Sequence, residues 1–297
     1  MDRRSLSSDH ITRAYIDSLL VEVRHLDAVL PDTTLNLYGK TFSTPVMTAA
    51  LSHMANTYPD GMKEMALGAK MADAVCFSGM GPNDEFRRMV DTGADVIKII
   101  KPYADRDSVH EKIRLAEELG CLAVGIDIDH AFSRKGYDEI EGMEMRPVTT
   151  RELAELVKMT KLPFVIKGVL SRQDARKCLD AGVQGMVVSH HNGRIDCAVP
   201  PLMILPEILQ ETEGKVPLFV DCSMQSGLDA FKALALGATG VCVGRPLMPR
   251  LKEKGAEGVR EVIEEITKEL RYTMTQTATP DLDHFDPTVV RNSIHHW

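Results

Sequence analysis

Eight short apolar runs recur along the chain, separated by longer amphipathic stretches, and this alternation restricts the fold more than any other feature. The clearest run is Pro163-Phe-Val-Ile-Lys-Gly168, a solid apolar core ending in a lysine and a glycine. Such a run reads as a strand buried on both faces, the pattern of a parallel sheet. Gly185-Met-Val-Val-Ser189, Pro217-Leu-Phe-Val-Asp221 and Thr239-Gly-Val-Cys-Val243 repeat it downstream. Pro45-Val-Met-Thr-Ala-Ala50, Ala74-Val-Cys-Phe-Ser78, Asp95-Val-Ile-Lys-Ile-Ile100 and Leu122-Ala-Val-Gly-Ile-Asp127 precede it. Helical patterns fill the intervals, over about 60–72, 83–92, 108–119, from Thr150, then 172–181, 203–211, 227–236 and 255–277. Parallel strands need crossover helices, and eight such units close on themselves. The expected class is therefore α/β, a (β/α)8 TIM barrel, with a doubly wound open sheet as the alternative. In such a barrel the active site lies at the C-terminal ends of the strands, where these runs carry their polar residues.

The 297 residues suit one barrel domain, 1–297. A helical lead-in is expected over about 9–30, with Tyr15, Leu19, Leu20, Val23 and Leu26 at helical spacing. The tail over about 278–297, punctuated by Pro and Asp, reads as a surface strap or a subunit contact through Phe285 and Trp297. A net charge of -8 argues against nucleic acid or an anionic membrane as partner. No apolar run approaches a membrane span and no signal core follows Met1-Asp-Arg-Arg, so a cytoplasmic protein is expected. Cys76, Cys121, Cys178, Cys197, Cys222 and Cys242 show no C-x-x-C and no Cys/His ligand spacing. Reduced, mostly buried thiols are expected, and no metal site.

Four motifs in register carry a resemblance. Phe164-Val-Ile-Lys-Gly168, Ser189-His-His-Asn-Gly-Arg194, Leu205-Pro-Glu-Ile208 and the run from Phe231 to Gly244-Arg-Pro246 are similar to the FMN-dependent 2-hydroxy acid oxidases and dehydrogenases, the glycolate and lactate oxidase group. The similarity extends from about Leu35 to residue 275 and is most specific over 163–246. It implies FMN as cofactor, with Lys167 beside the flavin N1/O2 edge, where a cation held on a strand end balances the charge of reduced flavin. It implies His191 as the active-site base, imidazole being suited to proton transfer near neutral pH. Asp127 would orient that histidine, with Asp129 a near competitor. Arg194 and Arg134 would clamp a substrate carboxylate, the guanidinium fork matching it in two hydrogen bonds. Ala50, Ser78, Ser189, Asp221, Ser223, Gln225, Gly244 and Arg245 complete the expected flavin contacts.

The chain departs from that pattern in several places. The family's Asn-His-Gly appears as His190-His191-Asn192, which leaves two imidazoles to choose between; strand alternation and the spacing to Arg194 favour His191. The phosphate motif Asp-Gly-Gly-hydrophobe-Arg appears as Asp221-Cys-Ser-Met-Gln225, with one cation lost. Lys101 stands about where a substrate tyrosine is expected, unless a shift brings Tyr103 there, and Lys101 or Tyr137 would then orient the 2-hydroxyl. The implied activity is oxidation of a small 2-hydroxy acid or similar carboxylate, in a homo-oligomer, a tetramer by resemblance. A flavin-dependent isomerase of the type 2 isopentenyl diphosphate kind, or a non-catalytic flavin-binding or regulatory barrel, are the rival readings.

Overall fold

A computed structural model of the protein describes residues 7–293; Trp297, expected at a subunit contact, lies outside the described residues. Eight parallel strands close into a barrel. They are β1 (Val46–Leu51), β2 (Cys76–Ser78), β3 (Val96–Ile100), β4 (Ala123–Asp127), β5 (Phe164–Val169), β6 (Gly185–Val188), β7 (Leu218–Val220) and β8 (Gly240–Val243). The last strand meets the first, with Val241 opposite Val46 and Val243 opposite Thr48. That closure removes the open-sheet alternative.

The apolar runs divide by alternation. Met47, Val75, Phe77, Ile97, Ile99, Val165, Val187 and Phe219 fill the barrel interior. Their neighbours Val46, Cys76, Val96, Ile100, Ile166 and Val188 pack outward against the helices. A hairpin of Leu35–Leu37 and Lys40–Phe42 plugs the N-terminal mouth with Leu35, Leu37 and Phe42. This division leaves one end of the interior for chemistry, because the last inward residue of a strand stands above the packed layers.

Helix α1 (Ser8–Ser18) lies over the C-terminal face, and α2 (Gly61–Met71), α3 (Asn83–Val90), α4 (Arg106–Glu118), α5 (Thr150–Lys158), α6 (Arg172–Asp180), α7 (Pro201–Thr212) and α8 (Gly227–Ala235) follow the strands in turn. Side chains start several of them: Asp105, Ser171 and Ser226 each accept from a backbone N–H in the first turn. Thr149 and Glu152 form a reciprocal capping box on α5. After β8 come α9 (Leu247–Lys254), which the sequence pattern did not separate, and α10 (Ala256–Gln276). Gly255, at φ 59°, breaks the helix between them.

The lead-in corrects an expectation. The helix ends at Ser18 rather than near residue 30, because Leu19–Val21 pairs antiparallel with Val290–Asn292. Beyond it Leu26 and Leu30 are 88% and 89% exposed, so the Leu/Val spacing over 20–30 reflects neither a helix nor a buried face. Within the tail, Val290–Asn292 forms the other strand of this pairing.

Candidate active site

The strand ends bring a compact set of charges together. Lys167 points inward near the end of β5, two residues after interior Val165, and is 4% exposed. Its Nζ lies 3.5 Å from Asp127 Oδ1 at the end of β4 and 3.5 Å from Asp221 Oδ2 after β7. Burial alone would depress this ammonium, but the two carboxylates outweigh it and hold its pKa above the ordinary lysine value. Asp127 is also buried; burial favours its neutral form, yet Lys167 and Lys101 keep its carboxyl well below the usual range. Lys101, the next inward residue after Ile99, donates to Asp127 Oδ2 at 2.6 Å. Its own pKa is lowered by burial, which Asp127 offsets only in part.

His191 joins this group from the turn after β6. Its Nδ1 is 3.0 Å from Asp129 Oδ1, 3.1 Å from Lys167 Nζ and 3.6 Å from Asp127 Oδ1. Burial and Lys167 push the imidazole down, but the nearby Asp127 and Asp129 carboxylates prevail and its pKa is raised. His190 faces the other way: its Nε2 meets Thr12 Oγ1 of α1 at 2.6 Å, and burial lowers its pKa. Three consecutive residues, His191, Asn192 and Gly193, hold positive φ of 52°, 52° and 107°. That left-handed turn is costly for a non-glycine residue and swings His191 back over the barrel. Ser189 helps to fix it by accepting from the His191 backbone N–H at 3.0 Å.

A cavity of about 120 Å³ opens beside this cluster. Ala49, Ala50 and Leu51 form one wall, Lys167 and His191 another, and the turns after β7 and β8 the rest, including Ser223, Gln225, Gly244 and Arg245. Cys222 and Ser223 keep φ of 68° and 62°. The backbone thus retains the left-handed path that two glycines would take, although side chains now burden it. Arg245 is engaged by Asp9 of α1, which also accepts from Ser223 Oγ at 2.8 Å. Arg13 of the same helix donates to the Ser223 carbonyl at 2.9 Å and to Asp229.

Several expected residues stand elsewhere. Ser78 points outward, its hydroxyl accepting from Lys98 at 3.3 Å and lying 3.5 Å from Met89 Sδ, because alternation gives the inward place to Phe77. Arg134 is 88% exposed in a surface hairpin and its nearest acid is Asp196 at 3.7 Å, so it is not part of the cluster. Arg194 is present but donates to Asp138 at 2.7 Å and to the Phe132 carbonyl. Tyr137 stacks on Phe132 and under Arg146 at the surface. Tyr103 is buried, bridging to Met145, and Lys101 holds the inward place. Asp129, His130, Asp138 and the α1 pair Asp9 and Arg13 were not singled out as site residues, beyond Asp129 as an alternative. The spacing Asp127-x-Asp129 was a readable sign, since residues two apart share a strand face.

Comparison with known proteins decides the lineage. The family described as FMN-dependent dehydrogenase matches residues 7–150 and 134–292. This chain belongs to that family. It is 26% identical over 295 residues to a peroxisomal (S)-2-hydroxyacid oxidase of Arabidopsis thaliana, covering 88% of this chain and 81% of the relative. To glycolate oxidase of Spinacia oleracea it is 27% identical over 286 residues, covering 84% and 78%. A mandelate oxidase structure with a C4a-OH-FMN adduct superposes with a TM-score of 0.87 at 28% identity, covering 95% of this chain and 90% of that one. The protein is an FMN-dependent oxidoreductase, and neither the isomerase nor the non-catalytic barrel is favoured.

The residues present fit the cofactor. Lys167 places a buried cation on the cavity wall, and Asp127 Oδ1 is buried without a hydrogen-bond partner among the described residues. Gly244 and Arg245 offer a backbone turn and a guanidinium at the opposite end, as an anionic phosphate requires.

Proposed function

We propose that this enzyme oxidises a small 2-hydroxy acid, with His191 as base, Lys167 and Asp127 as its electrostatic partners and Arg194 as the carboxylate anchor. The observation that carries this reading is the Asp127–Lys167–His191 constellation at three adjacent strand ends, with Lys167 and His191 on the cavity wall. FMN, when bound, supplies the two-electron acceptor. His191 Nδ1 is held by Asp129 and lies near Asp127, so the ring gains charge at little cost when its Nε2 takes a proton. Lys167 holds a fixed positive charge on the cavity wall, where negative charge develops during reduction. Ser223, Gln225, Gly244 and Arg245 would hold the phosphate, and Arg13 brings back to this end the positive charge lost at Gln225. Arg194 is satisfied by Asp138 in the structure, so a substrate carboxylate binds by taking the place of an internal one.

Five of the six cysteines are buried thiols outside any disulfide, which supports a reducing, cytoplasmic setting for the protein. Among the described residues no helix is long and apolar enough to cross a membrane. Exposed Leu20, Val23, Leu26 and Leu30 beside the 290–292 strand support a homo-oligomer.

The test is anaerobic mixing of the yellow, FMN-loaded enzyme with glycolate, lactate and mandelate in turn. Bleaching of the flavin band by at least one is expected. A flavin that reduces with dithionite but with no 2-hydroxy acid would remove the substrate class.

A further inference from the structure

Two carboxylates compete for one nitrogen of His191. Its Nδ1 lies 3.0 and 3.2 Å from the two oxygens of Asp129, but 3.6 Å from Asp127 Oδ1. An N–H···O hydrogen bond spans about 2.7–3.2 Å, so only Asp129 is in range. Asp127 is engaged elsewhere. Lys101 donates to its Oδ2 at 2.6 Å, and Lys167 stands 3.5 Å from its Oδ1, an atom with no hydrogen-bond partner among the described residues.

The backbone makes a seat for Asp129. Asp127 is the register partner of Lys167, and the ladder runs one step further, with the Ile128 N–H donating to the Lys167 carbonyl at 2.9 Å. Asp129 is thereby brought beside Gly168, where the pairing with β6 shifts register and φ is 98°. A Cβ at Gly168 would stand 2.7 Å from the Asp129 carboxyl carbon. The carboxyl thus occupies the space of an absent side chain.

The choice of partner decides where the ring proton sits. The Lys167 ammonium is 3.1 Å from the same Nδ1 and can only donate. Left to Lys167, Nδ1 would accept, and the proton of the neutral ring would sit on Nε2, where it blocks the base. Asp129 can only accept, so it holds the proton on Nδ1 and leaves the Nε2 lone pair for the substrate. Nε2 in turn lies 3.1 Å from His130 Nε2, with the rings edge to face, and one proton shared between them satisfies that contact. We propose that Asp129, and not Asp127, is the positioning residue of His191, fixing its tautomer against Lys167, while Lys101 keeps Asp127 as the counter-ion of the two lysines. The effect on rate rests on the base role assigned to His191 above; the tautomer does not.

The experiment uses the FMN-loaded enzyme with its histidine nitrogens isotopically labelled for NMR, His191 being assigned by the signal lost in His191→Asn. Spectra are recorded above the His191 midpoint, where the ring is neutral. Asp127 and Asp129 from β4 and its loop, Lys167 from β5, and His130 face the ring and set that midpoint. An Nδ1–H tautomer is expected in the wild type and an Nε2–H tautomer in Asp129→Ala. Flavin reduction by substrate should slow at least about tenfold in Asp129→Ala with KM nearly unchanged, a part of the roughly 100- to 10,000-fold that a general base contributes. Retained FMN absorbance shows that this variant is folded. Asp127→Asn should keep the wild-type tautomer but melt at a lower temperature, because it leaves two buried lysines short of a charge. An unchanged tautomer in Asp129→Ala would overturn the proposal, as would loss of Nδ1–H in Asp127→Asn; should the latter fail to fold, Asp129→Ala decides alone. A tautomer that follows Asp129 in a protein whose flavin no 2-hydroxy acid bleaches would uphold the positioning and remove His191 as the base.

Discussion

His191 and His190 are neighbours in sequence with opposite surroundings, and that difference sets the first expectation. His191→Asn should slow flavin reduction by substrate roughly 100- to 10,000-fold, the usual cost of losing a general base. FMN content should stay near that of the wild type, because the phosphate end is built from other turns. His190→Asn should be mild, since that ring packs on Thr12 rather than on the cavity. Anaerobic stopped-flow of the three proteins compares them, and equal rates for wild type and His191→Asn would overturn the mechanism. The pH dependence follows from the same geometry. Only neutral imidazole accepts a proton, and the His191 pKa is raised above its ordinary 6.5. Reduction should therefore quicken as pH rises through a midpoint above 6.5, and a midpoint below it would contradict the Asp129 and Asp127 contacts as the controlling influence. Stability runs in the opposite sense. A raised histidine pKa adds stability that is complete below the unfolded value and fades as pH climbs through the folded one.

At the scale of elements, α1 is the part that most alters the cofactor end. Its Asp9 takes Arg245 and Ser223, the groups a phosphate would use, and the remaining cavity is about 120 Å³. The contact holds the two side chains that would otherwise face a phosphate, so it competes with FMN for them. Asp9→Asn should then tighten FMN several-fold, on the order of tenfold, by freeing a charge-assisted donor. Arg245→Ala should weaken it by a similar factor, and Gln225→Arg should strengthen it. Flavin-fluorescence titration of the apoprotein measures all three. Weaker binding by Asp9→Asn would show that the carboxylate supports the site instead of competing for it. The β4–α5 loop makes a parallel substitution at the substrate end, with Asp138 on Arg194. Both arginines proposed to bind anions are therefore capped by acids from the chain itself.

For the whole molecule, the expected outcome is a solution mass above the 32.9 kDa of one chain in light scattering, and a single monomeric mass at working concentration would refute the proposed oligomer. The apolar segment 20–30 is the surface to which that prediction belongs. The barrel itself was legible without coordinates, because burial on both faces writes parallel strands as continuous apolar runs, and eight such runs alternating with helices have few ways to pack. Lys167 and Asp127 were legible for the same reason: a charge that ends a buried run must lie at a mouth of the barrel. The directions of Ser78 and Arg134 were not, since a strand that starts one residue later reverses which side chain points inward, and a loop arginine has no period to fix it. Nor could one-dimensional spacing show that Asp9, some 236 residues from Arg245, would occupy its guanidinium, or that His130 would meet His191 across two loops. Local pattern determines which residues are buried and how elements repeat. Which charges finally pair depends on loops brought together only when the barrel closes, so the tertiary structure alone decided the partners in this site.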